Sequence, residues 1–480
     1  MDNIILCKQG YLIPKISKYK NQIEILKKEL NVEPYQPYTF SKNDVPVKFN
    51  VYQENDDYYS IPKYYGLKKF GKPDINKEII GSEININFNG DLRPLQKEII
   101  NKVIPYIKIN DGGVLVLPCA AGKTVLSLYL AAVLKVKTLV IVHKTFLLNQ
   151  WKERAEQFTN AKIGIIQQNK IDIDDKDIVI GMLQSIAKDK YESTIFKDFG
   201  LVIFDEAHHA PSKYFSKALP IINCKKTLAL SATPNRSDRL EKILFWYFGD
   251  ILYKQPTETL NNVLVKMIKF NSSDLTFKEY KQNFGNDVNR PKTINKLTEL
   301  EPRNKLIIKI IKEILIEADR KLLILSDRIE HLKILYNSIS VLQITTCGYY
   351  IGGMKQSKLD ESTKAQIIFA SYSMAQEALD IPELNTLLMI TPRKEIEQAV
   401  GRITRKKDHL VQPLVIDIVD KLPIFDRQSK HRKKFYNTKE FIIKLYEASE
   451  DKIINEITDI NKIKESKINK VELDNLNFID

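Results

Sequence analysis

Short apolar runs recur along the chain and predict two α/β domains in tandem. From about residue 86, runs of aliphatic residues alternate with longer amphipathic segments, which is typical of a parallel sheet wound with helices. The first group of predicted strands comprises Val114–Leu117, Thr138–Val142, Asp177–Ile180, Leu201–Phe204 and Thr227–Leu230. After a polar interval, a second group comprises Lys321–Leu325, Gln343–Thr346, Gln366–Ala370, Thr386–Ile390 and Leu414–Ile418. The predicted fold class is therefore α/β with two parallel-sheet domains.

The segments that flank and separate these groups do not alternate in this way. The first 85 residues mix short apolar runs with a Lys-rich helical stretch from Ile16 to Leu30. They also contain a Tyr- and Lys-rich segment, Tyr58 to Lys69, which fits nucleic-acid contact or a half-buried sheet face. A polar stretch from Phe270 to Arg290 separates the two groups. We predict an accessory domain (1–85), a first α/β domain (86–254), a linker or insertion (255–300), a second α/β domain (301–440) and a charged helical tail (441–480).

The composition narrows the class of protein without fixing it. Lys and Arg total 74 against 60 Asp and Glu, a formal charge of +14. This excess fits a polyanionic partner, and an AT-rich genome rich in Lys codons accounts for it equally well. The four cysteines are scattered without metal-ligand spacing, which favours a reducing compartment and no structural zinc. No apolar run is long enough to span a bilayer and no signal peptide opens the chain, so we expect a soluble intracellular protein.

The strand predicted at Val114–Leu117 precedes residues that favour a phosphate-binding loop. In order these are Pro118, Cys119, Ala120, Ala121, Gly122, Lys123 and Thr124, and an apolar helix follows. A tight loop that opens a helix directs N–H groups at phosphates, a Lys reaches the β- and γ-phosphates, and a hydroxyl holds Mg²⁺. Leu117 occupies the position of the first Gly in the GxxxxGK pattern, so this motif alone also fits an ordinary helix cap.

A pair of acids at the end of another predicted strand is typical of nucleotide hydrolysis. Asp205 and Glu206 directly follow an apolar run. Such an Asp can hold Mg²⁺ together with the Thr124 hydroxyl, and the adjacent Glu can polarise the attacking water. Alone, the pair would fit a solvated turn, and the upstream phosphate loop favours the chemical interpretation. His208 and His209 follow without a third metal ligand, so a coupling or structural role is favoured over zinc.

Further short motifs follow in order, and the series resembles the superfamily 2 helicases. In the first predicted domain they are Leu92–Gln96 (the adenine-reading element), Pro118–Thr124 (motif I), His143–Thr145 with Gln150 and Trp151 (motif Ia), Gln184–Ser185 (motif Ib), Asp205–His208 (motif II, in its DEAH form) and Ser231–Pro234 (motif III). In the second they are Ile324–Ser326 (motif IV), Ala370–Pro382 (motif V) and Gln398–Arg405 (motif VI). The resemblance covers about residues 88–420, and the order of the matches makes coincidence negligible, although each motif is weak alone.

The resemblance implies two RecA-like domains, an ATP-binding and a C-terminal helicase domain, that use ATP and Mg²⁺ to move on nucleic acid. Catalysis is assigned to Lys123, Asp205, Glu206, Gln398, Arg402 and Arg405, the last two as arginine fingers. Nucleotide binding is assigned to Arg93, Gln96, Pro118 to Thr124 and Asp380, with Thr124 and Asp205 also holding the metal. Nucleic-acid backbone contacts are assigned to Thr145, Gln184, Ser326 and Ser371, and coupling to His208, Ser231 and Thr233. The alternatives are a basic surface helix for the two arginines, and caps or surface hydroxyls for the backbone contacts.

Finer features resemble helicases of large DNA viruses, of the poxvirus transcript-release and African swine fever virus-like types. These features are Glu301–Asn304, Tyr349–Lys355 and Ile396–Gln398, while Leu117–Thr124 resembles the loop of TFIIH-type repair helicases. Two small residues, Ala120 and Ala378, replace glycines that are common in motifs I and V. Neither substitution suggests an inactive enzyme, because both keep room for close backbone approach.

The resemblance favours DNA over RNA as the partner. About 75 residues follow Arg405, whereas DEAH-box RNA helicases carry large C-terminal domains there. Transcription machinery is a second expected partner and no membrane is expected. A viral protein of this type would be found in the host cytoplasm or in the virion. Three alternatives stay open: an ATP-dependent RNA helicase, an ATP-gated clamp that binds nucleic acid without unwinding it, and an inactive structural subunit. The last conflicts with the intact Lys123, Glu206 and Arg405.

Overall fold

The computed structural model divides the chain into two compact units, Met1–Pro256 and Thr257–Asp480. The structure describes residues 3–35, 47–118, 121–188, 191–232, 234, 236, 238–255, 262–282, 287–377, 379, 381–406 and 409–457. Each unit has its own sheets and its own hydrophobic clusters. None of the described helices is long and apolar enough to cross a membrane.

The N-terminal region of the first unit is a small mixed α/β structure. Its strands are β1 (Ile5–Cys7), β2 (Gly10–Pro14), β3 (Asn31–Val32), β4 (Phe49–Asn50), β5 (Gln53–Glu54), β6 (Tyr58–Ile61) and β7 (Ile75–Asn76), and its helices are α1 (Lys20–Glu29) and α2 (Lys63–Phe70). One sheet has the order β5-β6-β2-β1-β7, and β3 pairs with β4. Helix α1 confirms the helical stretch predicted between Ile16 and Leu30.

The Tyr- and Lys-rich segment lies within this region rather than on a free surface. Tyr59 and Tyr65 are 7% and 4% exposed, and the Tyr65 ring meets Trp246 edge to face with centroids 5.5 Å apart. Lys63 is also buried, and its Nζ donates to the carbonyl oxygen of Lys225 at 2.9 Å. The half-buried interpretation of the segment therefore fits better than nucleic-acid contact, and the N-terminal region packs onto the rest of the first unit.

The remainder of the first unit is a sheet covered by helices on both faces. Its strands are β8 (Gly112–Val116), β9 (Thr138–Val142), β10 (Ile163–Gln167), β11 (Lys170–Asp172), β12 (Ile178–Met182), β13 (Leu201–Phe204), β14 (Lys226–Ser231) and β15 (Ile251–Lys254). Its helices are α3 (Pro94–Asn110), α4 (Lys123–Leu134), α5 (Thr145–Phe158), α6 (Leu183–Ile186), α7 (Ala218–Ile222) and α8 (Glu241–Phe248). The order is β11-β10-β12-β9-β13-β14-β8-β15, parallel except where β11 meets β10. The central strands are buried on both faces, which explains why the sequence shows them as continuous apolar runs.

The second unit repeats this architecture. Its strands are β16 (Leu264–Asn271), β17 (Leu322–Ser326), β18 (Cys347–Tyr350), β19 (Ile367–Ser371), β20 (Thr386–Met389), β21 (Leu414–Asp420), β22 (Ile442–Ser449) and β23 (Lys452–Ile457). Its helices are α9 (Arg290–Glu299), α10 (Glu301–Ile314), α11 (Ile329–Ser340), α12 (Gln356–Ser362), α13 (Tyr372–Glu377), α14 (Glu397–Ile403) and α15 (Pro423–Thr438). The order is β18-β19-β17-β20-β21-β16-β22-β23, and the strands are parallel except β23. The prediction of two parallel-sheet α/β domains is confirmed.

The prediction of a linker at 255–300 is wrong for the part of this range that the structure describes. Strand β16 lies inside the second sheet, paired with β21 on one side and β22 on the other, and α9 follows at Arg290–Glu299. The sequence hides this strand because Lys266 and Lys269 interrupt its apolar residues, although Val265 and Phe270 are fully buried.

Two further predictions are wrong for similar reasons. The sequence predicts a helical tail over 441–480, but as far as residue 457 β22 and β23 extend the sheet instead, because the β-branched pairs Ile442–Ile443 and Ile453–Ile454 favour strands. Residues 458–480 of this prediction lie outside the described residues. The strand expected at Gln343–Thr346 lies instead at Cys347–Tyr350. Gln343 itself adopts a positive φ of 50° in the preceding turn, which ends any extended run there.

Candidate active site

The carboxyl ends of β8, β13 and β14 form one edge of the first large sheet. These strands are neighbours in the order β13-β14-β8 and run parallel, so the residues that follow them lie at the same edge. The phosphate loop follows β8, Asp205 and Glu206 follow β13, and Ser231 ends β14. The fold therefore brings together three of the motifs that the sequence predicts.

Gly122 gives the phosphate loop its shape. Its φ of +81° lies in the left-handed region, and a Cβ built on it would lie 2.2 Å from Gln96 Nε2. Helix α4 begins at the next residue, Lys123, so its first N–H groups point into the loop. Cys119 and Ala120, which belong to the predicted site, lie outside the described residues.

Gln96 connects the upstream element to this loop. Its Oε1 accepts a hydrogen bond from Arg93 N at 2.9 Å, and its Nε2 donates to Ala121 O at 3.4 Å. Gln96 is buried, whereas Arg93 is exposed at the start of α3. The element expected to hold the nucleotide base and the loop expected to hold its phosphates are therefore in direct contact.

Lys123 and Glu206 lie side by side at this edge. Lys123 Nζ is 3.2 Å from Glu206 Oε1, and the two side chains are 11% and 17% exposed. Burial raises the pKa of Glu206, but the charges of Lys123 and His208 more than offset this, and the net pKa lies below its ordinary value. Glu206 is therefore a carboxylate at neutral pH, as a group that accepts a proton from water must be.

Asp205 is more deeply buried than Glu206, and hydrogen bonds fix its carboxylate. Its Oδ2 accepts a hydrogen bond from Trp151 Nε1 at 2.8 Å, and its Oδ1 accepts from the Glu206 N–H at 3.0 Å. Burial, and next the adjacent Glu206 charge, raise the pKa of Asp205. The sequence placed Trp151 near motif Ia without a role, and only the fold shows that it fixes the Asp205 carboxylate.

A hydrogen bond connects His208 of motif II to Ser231 of motif III. His208 Nδ1 lies 3.3 Å from Ser231 Oγ and 3.4 Å from Glu206 Oε2. Glu206 itself has a positive φ of 47°, a conformation that costs a residue with a side chain about 1–3 kcal/mol. This geometry fits the predicted coupling role of His208 and Ser231, while Thr233 lies outside the described residues.

Arg236 is a site residue that the sequence analysis missed. Its guanidinium donates to the carbonyl oxygen of His208 and pairs with Asp238 through Nε–Oδ1 (2.8 Å) and Nη2–Oδ2 (2.5 Å). The signal available was its place, two residues after Pro234, the last residue of motif III. Arg236 braces the turn that carries His208.

Three histidine rings lie close together beside the site, at tilted angles to one another. The ring of His209 lies 4.0 Å from that of His143 and 4.2 Å from that of His208, measured between centroids. No group of three or more His, Cys, Asp or Glu side chains could hold a metal ion within the ranges that the structure describes.

Two predicted nucleic-acid contacts of the first unit lie at the carboxyl edge of the same sheet. Thr145 is exposed at the start of α5, and its Oγ1 accepts from Gln167 Nε2 at 3.4 Å. Gln184 is partly buried in α6, directly after β12, and its amide donates to the carbonyl oxygen of His143. Thr145 is therefore the more accessible of the two.

In the second unit, the predicted backbone contacts differ in exposure. Ser326 is fully buried, with its Oγ 3.4 Å from His331 Nδ1 and accepting from Arg328 N at 3.0 Å. This placement contradicts the prediction that Ser326 contacts a nucleic-acid backbone, because its hydroxyl is used inside the fold. Ser371 is partly exposed at the end of β19, with its Oγ 3.3 Å from Ser373 Oγ.

Motif VI lies on α14 and the turn after it. Arg402 is 6% exposed, and its Nη1 donates to the carbonyl oxygen of Leu379 at 2.6 Å. Gln398 and Arg405 are both partly exposed. Asp380, the predicted ribose contact next to Leu379, lies outside the described residues. Arg402 is thus engaged within its own unit, which leaves Arg405 as the more accessible arginine.

Comparisons with known proteins identify relatives of this chain. Residues 89–236 match the family described as Type III restriction enzyme, res subunit. A protein of Acanthamoeba polyphaga mimivirus, provisionally named an ATP-dependent RNA helicase, is 38% identical over 92% of this chain and 86% of its own length. The chain belongs to the superfamily 2 helicases. As a member of this family, the helicase hydrolyses ATP and binds nucleic acid.

Two further matches place the helicase among its relatives. The DNA 3'-5' translocase XPB2 of Sulfurisphaera tokodaii is 24% identical over 78% of the helicase and 94% of that protein. The structure of a Saccharomyces cerevisiae Dbp5 variant bound to RNA and ADP BeF3 matches with a TM-score of 0.51 and 10% identity, over 77% of the helicase and 92% of that chain. At this identity, the structural match shows a shared fold of two RecA-like domains and nothing more.

Proposed function

We propose that this helicase is an ATP-driven translocase that moves along DNA, with its hydrolytic site at the carboxyl edge of the first large sheet. The observation that supports this most is the contact between Lys123 and Glu206 beside the buried Asp205. Three groups lie together there: a cation that can bind phosphates, a carboxylate that can bind a metal, and a second carboxylate that can accept a proton from water. Phosphoryl transfer to water needs these three groups.

With ATP bound, each group has a separate role. Lys123 binds the β- and γ-phosphates, which frees the Glu206 carboxylate to orient the attacking water and accept its proton. The N–H groups at the start of α4 hold the phosphate oxygens. Gln96 and Arg93 contact the base.

Thr124 and Asp205 fit a magnesium ion. A bound cation would offset the two effects, burial and the neighbouring negative charge, that raise the pKa of Asp205. Mg²⁺ keeps several waters and takes few protein carboxylates, so one Asp and one hydroxyl suffice. The ion supplies positive charge to the phosphates during hydrolysis.

Arg405 is proposed as the arginine finger. Arg402 already donates to Leu379, whereas Arg405 lies beyond the end of α14. A planar guanidinium can bind two phosphate oxygens at once and stabilise the charge of the transition state.

The choice of DNA rests on the XPB2 relative, which is named a DNA translocase and matches along 94% of its length. The second candidate, an RNA helicase, is favoured by the name of the mimivirus relative. The test is ATP hydrolysis with single-stranded DNA, duplex DNA and RNA of one sequence and length. Stimulation by RNA alone would reverse the choice.

A second assay separates movement from unwinding and from clamping. Displacement of a triplex-forming strand without separation of a duplex would indicate a translocase, and separation of the duplex a helicase in the strict sense. ATP-dependent retention on DNA with neither activity would indicate a clamp. Transcript release and repair are the settings we propose, and release of RNA from a stalled polymerase complex tests the first.

A further inference from the structure

Helix α5 extends between two parts of the first unit to which we assign separate roles. Its first residue, Thr145, is exposed and is a predicted nucleic-acid contact. Further along the helix, Trp151 lies on the buried face with 1% of its surface exposed. At a rise of about 1.5 Å per residue, these two positions are roughly 9 Å apart along the helix axis. A single helix therefore connects the expected nucleic-acid contact with the interior of the hydrolytic site.

The packing of α5 directs the indole towards the end of β13. The buried residues of the helix are Leu147, Leu148, Trp151 and Ala155, and their spacing places them on one side. Helix α5 packs on β9, and β13 is the parallel neighbour of β9. From there the Trp151 indole donates through Nε1 to Asp205 Oδ2 at 2.8 Å. The hydrogen bond therefore links the position of α5 to the carboxylate that follows β13.

The chemistry of the indole suits a positioning role and excludes a direct one. The Nε1–H of Trp151 is a donor without acceptor capacity, so it can neither bind a cation nor accept a proton. The Asp205 carboxylate accepts this bond on Oδ2 and the Glu206 N–H on Oδ1, at 3.0 Å. Rotation of the carboxylate would break both bonds. The lone pairs that remain on its oxygens therefore point in fixed directions, which is how an outer hydrogen bond prepares a metal ligand.

A second contact joins the start of α5 to motif II. His143 lies between β9 and α5, and the centroid of its ring is 4.0 Å from that of His209. His209 ends the short helical turn that follows Glu206. Energetic coupling between two sites is carried by packed and hydrogen-bonded groups of this kind. A displacement of the start of α5 therefore has two routes to the acids of motif II, and the one through Trp151 ends on Asp205 itself.

We propose that Trp151 is a positioning residue that orients Asp205 for the magnesium ion, and that nucleic acid bound at the first turn of α5 strengthens metal binding through it. The proposal rests on the proposed function and adds a route from the nucleic-acid strand to the hydrolytic site. A strand that holds the first turn of α5 in place also holds the indole against Asp205. By linkage, the metal must then strengthen nucleic-acid binding by the same factor.

The test measures metal binding directly, with Mn²⁺ in place of Mg²⁺. Free Mn²⁺ is followed by electron paramagnetic resonance as the ADP-bound helicase is titrated, with and without a single strand of the nucleic acid that stimulates hydrolysis. Loss of an outer hydrogen bond to a metal ligand costs about 10–100-fold in affinity, so Trp151→Phe should weaken Mn²⁺ binding at least about tenfold. The strand should strengthen Mn²⁺ binding about fivefold or more in the unaltered helicase and leave Trp151→Phe unaffected.

A second variant separates the hydrogen bond from the packing of the ring. Replacement of Trp151 by benzothienylalanine exchanges the indole N–H for sulfur and keeps the size of the ring, so no cavity forms. This variant should weaken Mn²⁺ binding as much as Trp151→Phe does. Trp246→Phe is the matched control, because it makes the same change within the first unit at a ring that packs on Tyr65. Its affinity for Mn²⁺ should equal that of the unaltered helicase.

The control variant also provides a spectroscopic measurement. The chain has two tryptophans, so the fluorescence of Trp246→Phe comes from Trp151 alone. Paramagnetic Mn²⁺ bound with ADP beside Asp205 should quench this fluorescence, whereas diamagnetic Mg²⁺ should not. Unchanged emission at saturating Mn²⁺ would show that the metal does not bind beside the indole, and would overturn the proposal.

The outcomes separate this proposal from the function on which it rests. If Glu206→Gln hydrolyses ATP at the normal rate, the proposed hydrolytic site fails and the role of Trp151 with it. If that site holds but both Trp151 variants bind Mn²⁺ normally, the positioning role alone fails. The same follows if only Trp151→Phe loses affinity, because packing would then explain the loss. A strand that does not change the Mn²⁺ affinity of the unaltered helicase, or that still changes it in both variants, would overturn the route through Trp151.

Discussion

The carboxyl edges of the two large sheets use charge in different ways. At the edge of the first, Lys123, Asp205 and Glu206 are close enough to change one another's pKa, and they leave room for a ligand. At the edge of the second, Arg303 and Asp420 form a buried pair that only braces the fold. The same architecture therefore supports chemistry at one edge and rigidity at the other. Mutations should separate the two.

The largest effect is expected at the first edge. Glu206→Gln should lower ATP turnover about a thousandfold, because an amide cannot accept the proton of the attacking water. It should keep ATP affinity, whereas Lys123→Ala should lose affinity as well. Turnover and binding of a fluorescent nucleotide measure the two effects. Glu156→Gln, an exposed change on α5, is the control, and near-normal turnover in Glu206→Gln would remove Glu206 from this role.

At the second edge we expect a loss of stability rather than of chemistry. Arg303→Met leaves Asp420 buried without its partner, which should cost about 3–5 kcal/mol of unfolding free energy. The control Lys305→Met breaks an exposed pair with Glu301 on the same helix and should change little.

The chain contains its own reference signal for this measurement. Trp151 and Trp246 both lie in the first unit, so denaturant unfolding followed by tryptophan fluorescence should stay constant while the circular dichroism transition shifts. A shift of equal size in Lys305→Met would mean that the loss of unfolding free energy does not depend on whether the broken ion pair is buried.

Substitution of Arg405 tests whether a residue of the second unit takes part in ATP hydrolysis. Arg405→Ala should lower ATP hydrolysis by at least about a hundredfold, the low side of arginine-finger effects, with folding and ATP affinity nearly unchanged. Arg405→Lys should rescue poorly because it lacks the fork. Turnover at saturating ATP without nucleic acid is the measurement. A normal rate there would show that Arg405 is not a finger.

The smallest effect concerns pH. Burial, and then the charge of Arg303, hold the pKa of His331 well below its ordinary value of about 6.5. The folded state then binds fewer protons than the unfolded state, so the stabilisation is complete above about pH 6.5 and is lost as the pH falls below it.

Between pH 6.5 and 5.5 the second unit should lose roughly 1 kcal/mol through this one group. The circular dichroism transition at the two pH values gives the difference. His331→Gln should flatten the dependence, and an unchanged slope in that variant would assign the effect to other groups.

Most of the site at the carboxyl edge of the first large sheet could be predicted from the sequence, because its residues directly follow strands. Lys123, Asp205 and Glu206 each follow an apolar run, and parallel strands bring such ends together. The contact between Trp151 and Asp205 joins residues 54 positions apart and depends on how α5 packs against the sheet. Local patterns carry no such information.

The second edge was predicted less well because its residues are dispersed. Arg303 and Asp420 come from α10 and the end of β21, and nothing in their spacing along the sequence relates them. Ser326 matched a motif, yet its place as the last residue of a buried strand turns its hydroxyl towards His331. Its exposure depends on packing, which a short motif does not encode.

The position of β16 also has a consequence for synthesis of the chain. It is the first strand of the second unit to be made, yet its partners are β21 and β22, and β22 ends at Ser449. At typical ribosomal speeds of about 5–20 residues per second, its apolar side chains wait roughly 10–40 seconds for the last of these partners. During that interval a nascent chain exposes an unpaired strand with Val265, Met267 and Phe270 on it. The second unit should therefore depend on chaperones during translation more than the first.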